Sequence, residues 1–220
     1  MKKTIILVIV ILTGIAGYFG YQEYKVNEFV DIASPHLKNT SIRVAGEIDY
    51  MLASNSKITY KELLEKLEED ISEMDKRSLE IQTVASERNK EISLLAVEYV
   101  KASQVLSRSF LNHARKALAM TSASNSVERK IVAYAASIGT YSTEYERNAA
   151  DKAMEELRKA NAEFLDAIPE VLESAKAFKA SREAVAAIFP SDSLVPEGHL
   201  AELIKKLSPE AKSDDPAPKK

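Results

Sequence analysis

The chain has no cysteine and no tryptophan, and only six glycines and seven prolines in 220 residues. Without cysteine there are no disulfides, thiolate nucleophiles, cysteine-ligated metals or cysteine-linked lipid anchors. So few turn-forming residues argue against an all-β sandwich or barrel, which needs a turn signal every ten residues or so. Charge of one sign is also lacking: the net charge is −3, so no basic field draws the chain to nucleic acid. The Gly-x-Gly-x-x-Gly, P-loop and Gly-x-Ser-x-Gly signatures are missing. His36, His113 and His199 stand alone, with no partner at metal-ligand spacing, and His113 is expected on a solvated helix face. The acidic run holding Glu68, Glu69, Asp70, Glu73 and Asp75 has neither the loop nor the glycine of a calcium hand and is expected on a solvated helix face too. No catalytic, cofactor-binding or metal-ligating residue is expected.

What is present begins with a membrane signature. Lys2 and Lys3 precede an apolar run from Thr4 to Tyr21, with no charge until Glu23. Eighteen residues at about 1.5 Å each span about 27 Å, enough to cross a hydrocarbon core. Tyr18, Phe19, Tyr21 and Tyr24 lie at its far end, where aromatic rings favour the headgroup layer. Residues 1–24 are therefore expected to form a bacterial-style transmembrane signal-anchor, with the membrane as a partner through residues 4–21. Cleavage of a signal peptide after Ala16 is the alternative. The basic residues before the span place the N-terminus inside and the rest of the chain outside, periplasmic or extracellular, after a single crossing.

Beyond the span the fold class is all-α. No glycine occurs between Gly46 and Gly139, and no proline between Pro35 and Pro169. Ser34-Pro35 predicts a helix start, with a break at Asn55-Ser56-Lys57. Thr59 and Glu62 have the spacing of a capping box. Leu64, Leu67, Ile71, Met74, Ser78, Ile81, Ala85, Arg88, Ile92, Leu95, Tyr99, Ala102 and Leu106 alternate by threes and fours, apolar except at Ser78 and Arg88, the pattern of a coiled coil or long bundle helix. The small polar stretch Thr121–Ser126 predicts a turn. A returning arm then carries Ile131, Tyr134, Ile138, Tyr141, Tyr145, Leu157 and Phe164, with a kink or short break at Pro169. Residues 25–190 thus read as an elongated antiparallel helical hairpin, a coiled-coil bundle with arms of roughly 90 Å; a folded-back four-helix bundle is the alternative. Residues 191–207 read as a linker and a short amphipathic helix, and 208–220 as a disordered tail.

Two groups of residues are candidates for interaction. Tyr134, Tyr141 and Tyr145 form a stripe whose rings pack while their hydroxyls seek water or a partner. Leu200, Leu203, Ile204 and Leu207 form one apolar face that docks either into a partner's groove or back onto the bundle. The expected class is a membrane-anchored, non-catalytic helical scaffold or interaction protein whose partner is another envelope protein or a second copy. A membrane-tethered ligand-binding or sensory module is the alternative.

Overall fold

The computed structural model describes the backbone of residues 2–53 and 59–208, and within those ranges the side chains from residue 24 onward. Five α-helices and one 3-10 turn account for nearly all of it, and no strand occurs among the described residues. They are α1 (Lys2–Leu52), α2 (Tyr60–Thr83), α3 (Lys90–Ser137), α4 (Thr143–Val185) and α5 (Glu197–Leu207), with the 3-10 turn at Ser191–Ser193. Among the described residues no helix is long and apolar enough to cross a membrane. The apolar run 4–21, the Asn55–Lys57 break and the tail from 209 lie outside the residues described in side-chain detail.

The helix boundaries differ from the sequence expectations at four places, each with a local cause. α1 does not start at Ser34-Pro35 but passes through it. Proline removes one backbone donor, but Asp31, whose carbonyl loses that donor, is on the exposed side. Pro169 likewise leaves α4 unbroken, with Leu165 exposed to water. The single arm expected from Thr59 to about Ala119 is divided at residues 84–89. There the Asn89 side chain accepts from Ser86 N at 2.6 Å, a local bond that competes with the helical ladder. Finally, Thr121–Ser126 is not a turn. Thr121 Oγ1 donates to the Ala117 carbonyl at 2.9 Å, so its polar group is satisfied within a continuous α3. The chain reverses instead at Gly139, the one described residue with positive φ (86°), where a side chain would cost about 1–2 kcal/mol in backbone strain.

The capping box at the head of α2 forms as expected: Thr59 N donates to Glu62 Oε2 at 2.8 Å and Glu62 N to Thr59 Oγ1 at 3.3 Å. α2 runs antiparallel to α1 and α3, while α1 and α3 run parallel. Arg43 meets Asp70, Gln104 Nε2 donates to the Ile71 carbonyl at 3.2 Å, and Arg115 pairs with Glu68 at 2.7 Å. α4 returns along α3, where Asn112 Nδ2 reaches Glu170 at 2.7 Å.

The core sits in the base formed by these four helices and α5. Phe29, Leu37, Ile48, Leu67, Met74, Ile81, Tyr99, Leu106, Phe110 and Phe178 are fully or almost fully buried there. Tyr99 ties the base to the segment after α4. Its hydroxyl accepts from Val195 N at 3.0 Å and lies 2.7 Å from Ser41 Oγ, which in turn is 2.8 Å from the Leu37 and Ser193 carbonyls. Residues 191–195 are thus part of the core and not a free linker: Ser193, Leu194 and Val195 are buried. α5 docks beside α1, with Lys206 Nζ donating to the Leu52 carbonyl at 2.6 Å.

Past the start of α2, α3 and α4 continue alone. Their shared seam there is made of small residues, Ala117, Val127, Ser137, Ala150 and Ala153. By the rise of an α-helix, the seventeen or so residues to Ser137 carry this two-helix extension about 25 Å beyond the base.

Candidate functional site at the hairpin tip

A two-helix extension has one covered face, so apolar residues off its seam face water. Val132 is 64% exposed, Ile138 66% and Tyr145 72%, Tyr141 is fully exposed, and Ile131 is also on the surface. The turn that presents them is firmly made. The Ser137 carbonyl accepts from Thr140 N at 2.9 Å, Thr140 Oγ1 at 2.7 Å and Thr143 Oγ1 at 2.6 Å. Gly139 between them supplies the left-handed step, which sets Ile138 on one side of the reversal and Tyr141 on the other. Charges of both signs, among them Glu128, Lys130, Glu144 and Arg147, surround the patch in sequence. An apolar cluster with a charged rim is the composition of a protein-contact surface. Tyrosines add large contact area while fixing only two side-chain torsions.

The structure gathers Tyr141 and Tyr145 at the tip, with Tyr134 half-buried one helical turn below. The two outer tyrosines stand off the surface and do not surround a cleft. Val132 on α3 is exposed as well, and its position off the apolar seam hid it from the periodicity. The second candidate group behaves differently. Leu200 and Leu203 are buried in the chain's own core, and Ile204 and Leu207 pack half-buried against it, so this face is covered from within the chain.

Two of the three histidines lie against other parts of the chain. His36 Nδ1, in the middle of α1, lies 3.0 Å from Glu80 Oε2 of α2. His113 is not on a solvated face: its ring packs on Phe164 with centroids 4.6 Å apart, and burial, helped by Lys116, holds its pKa below the usual value. Among the described residues no group of three metal-ligating side chains converges. Asp70 departs from the solvated acidic face expected of its neighbours and is buried with Glu47. Glu47 was legible as an anomaly, because it falls on the apolar row of Val44, Ile48 and Met51.

At the opposite end of the bundle, Lys25, Glu28, Phe29 and Ile32 of α1 line a cleft with Val84 and Ser86–Asn89. That end is the one from which α1 continues back to Lys2 as unbroken helix. Since α1 and α3 are parallel, the fifty or so residues from this level to Ile138 place the tip about 70 Å away. No family model, curated protein or solved structure matches the chain.

Proposed function

We propose that the chain is a single-pass, membrane-anchored helical scaffold that presents its hairpin tip to a protein partner outside the cytoplasmic membrane, without catalysis of its own. The observation that carries this reading is the polarity of the molecule. A helix with an apolar run from Thr4 to Tyr21 after two lysines continues without interruption into the base, and an exposed apolar tip lies at the far end. In this reading α1 serves as both anchor and first helix of the base, so the tip stands at a fixed height and not on a flexible tether. The partner is another envelope protein or a second copy, recognised by apolar contact with Ile138, Tyr141 and Tyr145. Burial of Leu200 and Leu203 favours the tip over α5 as the contact surface.

The anchor is tested by fractionation. Full-length protein is expected in the membrane pellet after carbonate washing. A soluble product beginning near Gly17 would contradict the anchor and point to cleavage after Ala16.

A further inference from the structure

Helices α1 and α2 each bring one carboxyl group into the core at the same level. Glu47 and Asp70 are both only 2% exposed. One oxygen of each is served: Ser107 Oγ on α3 donates to Glu47 Oε2 at 2.6 Å, and Arg43 pairs with Asp70 Oδ1. The remaining two oxygens, Glu47 Oε1 and Asp70 Oδ2, are buried with no donor, and the two carboxyl groups are in hydrogen-bonding reach of each other. Two buried carboxylates side by side repel, and each leaves an acceptor without a protein donor. A single proton between them removes both penalties, giving one O–H···O bond.

We infer that Glu47 and Asp70 hold one proton in common, and that this protonated pair latches α1 onto α2 in a pH-dependent way. The charges around the pair agree with Glu47 as the proton's main seat. Arg43 from α1 faces Asp70, with Glu69 3.9 Å away on its outer side and Glu73 nearby. Lys66 from α2 lies over Gly46, its Nζ 3.5 Å from where a β-carbon would stand, and favours ionisation of Glu47 from a distance. α3 contributes the Ser107 hydroxyl and no charge. Burial is the largest influence on Glu47 and pushes it up to about 8, against the Ser107 bond and with the help of Asp70.

The sign follows from linkage. Unfolded Glu47 titrates near 4.5 and folded Glu47 near 8. The stability this proton supplies is therefore fully present below 4.5 and is lost as pH rises through about 8. His113 works in the opposite direction at lower pH, since it is held neutral in the fold and gains a proton on unfolding below 6.5. The window between 6.5 and 8 lies above the range in which His113 contributes, and the Glu47→Gln variant reports the share that belongs to Glu47. Across it the unfolding constant of the full chain in detergent is expected to rise by up to about thirtyfold, tenfold per pH unit. In Glu47→Gln the amide nitrogen donates to Asp70 Oδ2 and its oxygen still accepts from Ser107, so the rise is expected to vanish. A wild type that is flat over this window, or a variant with the same slope, would overturn the latch. The infrared spectrum of the wild type gives a test that needs no variant to fold. A carboxylic-acid carbonyl band at neutral pH that fades as pH passes about 8 is the expected result, and absence of that band at neutral pH would overturn the proposal.

Discussion

Phe178→Ala is expected to destabilise the base by about 3–5 kcal/mol, the usual cost of emptying a buried aromatic site. Phe178 is fully buried, and its ring lies 5.1 Å from Tyr99 at an interplanar angle of 45°. The loss reaches beyond its own volume because Tyr99 carries the hydrogen bonds that hold Val195 and Ser41 together. A ring free to tilt into the vacated space would draw its hydroxyl off that junction, loosening residues 191–195 and with them α5. Unfolding of the full chain in detergent measures the effect. A cost below about 1.5 kcal/mol, small for this class of substitution, would mean that α4 is not a core element of the base at this level.

The second large effect concerns Arg43. Its guanidinium is the cationic partner of Asp70, whose side chain is almost wholly buried. Removing one member of a buried pair leaves an uncompensated charge and costs about 3–5 kcal/mol, whereas removing both is much milder. Arg43→Ala is therefore expected to be strongly destabilising at pH 7, and Arg43→Ala combined with Asp70→Asn to recover most of the loss. Equal instability of the single and double variants would show that Arg43 acts through packing of its alkyl stem and not through its charge. Glu47→Gln tests the shared proton separately, since it leaves both Arg43 and Asp70 in place.

Much of this architecture was legible without coordinates, and the failures have physical reasons. The all-α class followed from scarce glycine and proline, and the capping box from Thr59 and Glu62, because both depend on local chemistry that sequence spacing encodes directly. Turn positions were harder. Thr121–Ser126 has the composition of a loop, yet the helix continues through it, with the Thr121 hydroxyl bonded back to the Ala117 carbonyl. The better signal was Gly139, the lone glycine between Gly46 and Gly198. At residues 84–89 the three-four spacing ran on through Ala85 and Arg88, so the count was kept where the helix was not. Pro169 misled in the other direction, because a missing donor matters little on a solvent-facing turn. Asp70 was hidden by its acidic neighbours: the buried row is Leu63, Leu67, Asp70, Met74, one position away from the Ile71 that periodicity preferred. The tip tyrosines were legible as a stripe, but their exposure depends on where the hairpin turns, and that was misplaced.

The most direct test of the scaffold reading is photo-crosslinking in intact cells from two positions of the full-length chain. One probe replaces Tyr141 at the tip, and the other replaces Lys101, an exposed residue on the base. The account predicts a discrete adduct from position 141, either with an envelope protein or with a second copy, that is lost when Tyr145→Ala is added and has no counterpart at position 101. Crosslinking from position 101 with none from 141, or indistinguishable adducts from both, would contradict it.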